Sequence, residues 1–178
     1  MAMTAILLFL PILLALSLAV GLTSRGGIFY CSSRIGKNGK LFKMVKFRTM
    51  KQDTPVLATH LLTDSPRYLT PIGSILRKSS LDELPQLWNI LIGDMSFVGP
   101  RPALFNQDDL ISLRTHYGVD KLVPGLTGWA QVNGRDEISI PIKVKYEVEY
   151  LENQSFWFDV RILCLTLLKV VRRTGVSH

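Results

Sequence analysis

Ser80-Leu81-Asp82-Glu83-Leu84-Pro85-Gln86-Leu87-Trp88-Asn89-Ile90-Leu91-Ile92-Gly93-Asp94-Met95-Ser96-Phe97-Val98-Gly99-Pro100-Arg101-Pro102 is the stretch whose reading decides the fold. Leu84, Leu87, Trp88 and Leu91 recur at i, i+3, i+4 and i+7, the spacing of one apolar helical stripe. Gly93 stands where a left-handed cap ends a helix. This predicts a short amphipathic helix with two carboxylates, Asp82 and Glu83, in its first turn. Free N–H groups and the positive end of the helix dipole gather there and favour anions. Ser80 and Glu83 alone also fit an ordinary capping box, and Pro85 is comfortable only in a first turn.

Downstream, Gly99-Pro100-Arg101-Pro102 fixes an arginine on a stiff turn. Pro124-Gly125-Leu126-Thr127-Gly128-Trp129-Ala130-Gln131-Val132-Asn133-Gly134-Arg135 is glycine-punctuated and ends in a second such arginine. Upstream, Lys46-Phe47-Arg48-Thr49-Met50 places two cations two residues apart, on one face of an extended chain. Lys46 to Met50, Ser80 to Leu84, Gly93 to Pro102 and Pro124 to Arg135, in that order along the chain, resemble the monotopic phosphoglycosyl transferases of bacteria, and the chain's size is similar to that of their smallest members.

Length and composition agree with a membrane-associated protein. The 178 residues fit one domain, 47% of them hydrophobic, with a net charge of +7. Mean hydropathy is +0.22 and the pI about 9.6. Met1 to Gln52 carries eight basic residues and no acidic one; everything after it is close to neutral. A basic cluster directly after an apolar segment reads as lying against anionic headgroups on the cytoplasmic side. Nucleic-acid binding explains the charge but not the apolar neighbour, and is set aside.

That segment, Ala5 to Leu22, is uncharged and near the length that spans a bilayer. A secretory signal needs a positive start that Met-Ala-Met-Thr lacks. A spanning helix is allowed. Pro11 removes a helix hydrogen bond at mid-segment, which also allows a bent, re-entrant helix. In the resembling family this helix re-enters at a Ser-Pro pair; here the pair is Leu10-Pro11.

The rest reads as α+β and mainly helical. Gly26 to Met50 predicts strands joined by a hairpin at Gly36-Lys37-Asn38-Gly39. Lys51 to Arg67 reads as a polar loop with a short helical piece. Thr70-Pro71 predicts a helix start, with Ile72, Ile75 and Leu76 as its apolar face. Asp108 to His116 reads as a helix. Ile140 to Leu151 fits both a strand and a helix, the period alone favouring the strand; the resemblance favours the helix, which is the expectation taken. After Ser155, Asp159, Thr166, Lys169 and Arg173 form a narrow polar stripe on an otherwise apolar helix, suited to the core or to a membrane interface.

There is no Walker loop and no Gly-x-Gly-x-x-Gly, which disfavours standard nucleotide folds. Cys31 and Cys164 are isolated, fitting a reducing compartment without a zinc site.

The resemblance implies a re-entrant membrane helix over residues 1–24. It implies a catalytic domain over 25–178, with interfacial amphipathic helices and a small β-hairpin, on the cytoplasmic face of the bacterial inner membrane. It further implies transfer of a sugar 1-phosphate from a UDP-sugar to undecaprenyl phosphate with release of UMP. Asp82 would be the nucleophile and a ligand for Mg²⁺; Glu83 would hold the metal or act as a base. Lys46, Arg48, Arg77, Arg101 and Arg135 would contact phosphates, and Gly125 and Thr127 would shape the nucleotide side. Partners would be the UDP-sugar, undecaprenyl phosphate and anionic lipids, with a homo-oligomer left open. Glu147 stands where the family more often has Asp, and Asp136 and Ile140 where it has Asn and Trp, departures that bear on the sugar. A non-enzymatic membrane adaptor and a secreted hydrolase are the rival readings.

Overall fold

The computed structural model describes residues 2–24, 26–52, 54, 65–134 and 138–172. The chain is a mixed helix and sheet structure that divides into two compact units. The first draws on Met1–Ser32 and Met44–Leu91, the second on Ser33–Lys43 and Ile92–Gly175.

The first unit opens with α1 (Ala2–Thr23), one helix whose assignment continues through Pro11. It is long and apolar enough to cross a membrane. Its second half is held: Leu13, Leu16 and Val20 pack with Phe47, Leu76, Leu81 and Leu84. Strands β1 (Phe29–Ile35) and β2 (Leu41–Phe47) form the expected hairpin. At its tip Asn38 (φ 55°) and Gly39 (φ 73°) take the left-handed conformation that a tight reversal requires. Most of the Lys51 to Arg67 loop lies outside the described residues.

Helix α2 (Gly73–Lys78) begins later than Thr70-Pro71 suggests. The Thr70 hydroxyl does not cap it and instead donates to the Thr49 carbonyl. Glycine is required at its start, because a Cβ on Gly73 would collide with the Thr49 carbonyl oxygen. Of its expected apolar face, Leu76 is buried but Ile75 points outward, 65% exposed.

The helix expected across the acidic pair is two elements. Leu81–Glu83 is a 3₁₀ turn, and helix α3 spans only Gln86–Leu91. Ser80 is left-handed (φ 56°) and makes no side-chain cap, so the capping box does not form. Pro85 brings no N–H to the first turn. Three-residue spacings carry the chain past it, from Leu84 N–H to Leu81, Leu87 N–H to Leu84 and Trp88 N–H to Pro85. Gly93 takes φ +89° just beyond α3, as expected of the stop. The helix buries its polar side: Gln86 and Asn89 are enclosed while Trp88 is 55% exposed.

In the second unit, β4 (Ala103–Leu104) pairs antiparallel with β1, Arg34 opposite Leu104, giving the order β2-β1-β4. Strands β3 (Ser96–Val98) and β5 (Gly125–Thr127) pair in parallel, Ser96 with Gly125 and Val98 with Thr127. Around them lie α4 (Asp108–His116), α5 (Trp129–Asn133), α6 (Ile140–Asn153) and α7 (Phe156–Arg172). The α4 bounds match the expectation, and the ambiguous Ile140 segment is helical. Val98, Leu110, Val119, Val144, Tyr150 and Ile162 form the core. Polar Asp159 and Thr166 of α7 turn inward, bonded to the Tyr150 hydroxyl and to Thr127. Phe156, Trp157 and Leu167 face outward, 70%, 77% and 66% exposed.

Candidate active site

The acidic pair is built by the first unit. The 3₁₀ turn buries both Asp82 and Glu83, and a buried carboxylate persists in ionised form only with compensating charge. Lys46 on β2 supplies it to Glu83, its Nζ donating to Oε1 at 2.7 Å. On α2, burial lowers the Arg77 pKa and the negative charge of Asp82 partly offsets this, so the guanidinium stays protonated beside the carboxylate. Thr49 accepts from Arg77 Nε at 3.0 Å and fixes the ring-like plane of the guanidinium. The Asn89 side-chain oxygen accepts the Val45 N–H at 3.0 Å, fastening α3 to the strand that carries Lys46. Arg48 is turned elsewhere, donating to the carbonyls of Gly27 (2.8 Å) and Phe29 (3.4 Å). Lys46 and Arg48, expected on one face, thus have different partners.

The second unit presents Arg101 and the glycine-rich segment. The carbonyls of Pro100, Arg101 and Pro102 each accept a hydrogen bond from a different element: Gly125 N–H of β5 (2.9 Å), Arg114 Nη2 of α4 (2.9 Å) and Arg34 Nη1 of β1 (3.3 Å). The glycines serve close backbone approach. A Cβ on Gly125 would strike the Gly99 nitrogen, and one on Gly128 the Gly99 oxygen. The Thr127 hydroxyl lies 2.7 Å from that of Thr166, which itself donates to the Ile162 carbonyl. Thr127 is therefore the donor, its proton engaged with α7. Arg135 lies outside the described residues.

Arg114 and Gln131 of this region were not singled out in the sequence, and Glu147 was noted only as a departure from the resembling family. Arg114 and Glu147 form a two-pronged ion pair inside the second unit, with Nε to Oε2 at 2.8 Å. The signal was there: Glu147 shares a helical face with Ile140, Val144 and Leu151, where an unpaired charge would be costly. Gln131, on α5, has its side-chain amide nitrogen and oxygen both buried without a hydrogen-bond partner.

Among the described residues, no three His, Cys, Asp or Glu side chains gather into a metal cage. The adjacent pair Asp82–Glu83 fits an ion that takes one or two carboxylates and completes its shell with water and phosphate oxygens, the habit of Mg²⁺ rather than of structural zinc.

The first unit thus combines a charge-compensated carboxylate pair with a long apolar helix. The chain belongs to the bacterial sugar transferase family, whose profile matches residues 1–173. It is 44% identical over 153 residues to the uncharacterized sugar transferase EpsL of Bacillus subtilis, covering 85% of this chain and 73% of that protein. It is 40% identical over 177 residues to the UDP-glucose:undecaprenyl-phosphate glucose-1-phosphate transferase of Escherichia coli, covering 95% of this chain but 38% of that one. The exopolysaccharide production protein ExoY of Rhizobium meliloti is 38% identical over 190 residues, with 98% and 83% covered.

Proposed function

We propose that this protein transfers a sugar 1-phosphate from a UDP-sugar to undecaprenyl phosphate, releasing UMP and starting the assembly of a surface glycoconjugate. The observation that carries this reading is the buried Asp82–Glu83 turn with a cation set against each carboxylate, Arg77 and Lys46. Similarity to the Escherichia coli glucose-1-phosphate transferase supports the substrate class.

In this mechanism an Asp82 oxygen attacks the sugar-bearing phosphorus, and the anhydride bond to UMP breaks, the bonding electrons leaving with UMP. The aspartyl phosphosugar is then attacked by an oxygen of undecaprenyl phosphate, which expels the Asp82 carboxylate and leaves a lipid diphosphate sugar. Arg77, Arg101 and Arg135 bind phosphate oxygens, for which a guanidinium fork is suited. Lys46 keeps Glu83 ionised and oriented beside the nucleophile. Asp82, with Glu83 as the neighbouring donor, would hold Mg²⁺, which supplies charge neutralisation of the diphosphate.

A monotopic position at the cytoplasmic face of the inner membrane is supported by how α1 is used. With Leu13, Leu16 and Val20 packed on the catalytic unit, the part of the helix before them is about 16 Å long. A bilayer core is about 30 Å thick. In the first unit the outward Ile75 of α2 and Trp88 of α3, and in the second the outward Trp157 and Leu167 of α7, are side chains suited to a membrane interface.

The test is UMP release in undecaprenyl-phosphate vesicles with Mg²⁺ and a panel of UDP-glucose, UDP-galactose and UDP-N-acetylhexosamines. One sugar should support release, and Asp82→Asn should lower it by about 10³-fold or more while the fold is kept. Release that survives in Asp82→Asn removes the covalent route. A folded, membrane-bound protein inert toward every sugar favours the adaptor reading.

A further inference from the structure

We propose that Arg114 and Glu147 are positioning residues for the transfer, acting through Arg101. This rests on reading Arg101 as a phosphate-binding cation. Prolines at 100 and 102 have no N–H, so the Gly99–Pro102 turn can be tied down chiefly by its carbonyls, and all three from Pro100 to Pro102 are used. Of the two side-chain donors only Arg114 is itself buried, and it reaches the carbonyl of the arginine whose direction matters.

Its guanidinium is committed on two sides. Nε and Nη2 grip the two oxygens of Glu147, and Nη2 also donates to Arg101 O. Glu147 is 2% exposed, and both oxygens of its carboxylate are met by the Arg114 guanidinium. The pair spans α4 and α6, two helices of the core, so the Arg101 carbonyl is referred to the rigid part of the unit rather than to a loop. A buried ion pair is seldom needed for stability, because well-packed apolar residues of similar volume serve as well or better. What apolar residues cannot supply is the donor to Arg101. The pair's contribution is therefore to aim: a turn that drifts by an ångström misplaces the guanidinium against a phosphate oxygen.

The inference is tested with the double variant Arg114→Met/Glu147→Leu, made in the wild-type chain and again in Arg101→Ala. UMP release is followed with the preferred UDP-sugar in vesicles, with thermal unfolding of each protein. The expected result is a fall in kcat/KM of about tenfold or more in the wild-type background. The melting temperature should be unchanged or raised, and in Arg101→Ala the pair's removal should have almost no further effect. An equal fall in both backgrounds makes the pair's role general and overturns the proposal, as does no fall in either. Should the double variant not fold, Glu147→Gln, which keeps shape and one acceptor, is carried through the same two backgrounds and judged by kcat/KM alone, since an uncompensated Arg114 lowers the melting temperature by itself. An inactive wild type would be seen before any variant is compared, and would count against the transferase reading itself.

Discussion

Tyr150 shows how a single side chain ties burial to pH. It is enclosed in the second unit and donates to Asp159 Oδ1 at 2.8 Å. Burial, and then the neighbouring Asp159 carboxylate, push its hydroxyl well above the usual tyrosine range. Below about pH 10 the phenol is protonated in both folded and unfolded chains and contributes no pH dependence. Above that the unfolded chain releases the proton and the folded one keeps it, so stability falls as pH rises. Tyr150→Phe should cost about 1 kcal/mol at pH 7, through the lost hydrogen bond. It should also make the decline above pH 10 shallower, as read by thermal unfolding at pH 7 and 10.5. At this scale the sequence told unevenly. Asp82 and Glu83 were legible as a pair, whereas Lys46 and Arg77 were expected on phosphates through the resemblance and not as partners of the carboxylates. Which cation meets which carboxylate was not legible, since Lys46 lies 37 residues from Glu83 and only the fold closes that gap. The Thr127 hydroxyl, expected toward the nucleotide, is spent on Thr166.

At the scale of elements, periodicity found the helices and misjudged their outsides. The hairpin, α4 and α7 stand where the pattern put them, while α6 is the helix that the resemblance implied over a segment whose period alone favoured a strand. The 3₁₀ turn at Leu81–Glu83 was missed because its determinant is a left-handed Ser80 followed by Pro85, a backbone choice that residue spacing does not report. Periodicity also says which residues share a face and nothing about the medium that face meets. In α3 and α7 the enclosed face carries polar side chains beside apolar ones, Gln86 and Asn89 with Leu87, and Asp159 and Thr166 with Ile162. Single-tryptophan proteins, with the other two indoles changed to Phe, test the consequence. Trp88 and Trp157 should be quenched by spin-labelled lipid in vesicles. Trp129 should not, as it is packed by Phe158 and Tyr146 with Arg161 over its ring. Equal quenching of all three would mean that the outward faces do not meet lipid.

For the whole molecule, the chain in hand corresponds to most of EpsL and ExoY and to less than two-fifths of the Escherichia coli relative. The division into two units was not visible in composition. The boundary falls inside the hairpin, where strand residues on either side look alike, and again between Leu91 and Ile92.

Helix α1 has the look of a removable leader, and its packing argues that it is nothing of the kind. Leu13, Leu16 and Val20 are partners of Phe47, Leu76, Leu81 and Leu84, side chains on the strand and turns that bear Lys46, Arg77 and Asp82. Anyone trimming the chain at Thr23 to obtain a water-soluble enzyme would strip off part of the hydrophobic core along with the anchor. The shortened protein should elute as aggregate in size-exclusion chromatography without detergent, and should stay inactive when detergent is returned. A monodisperse, active fragment would show that the first unit can close over the gap by itself.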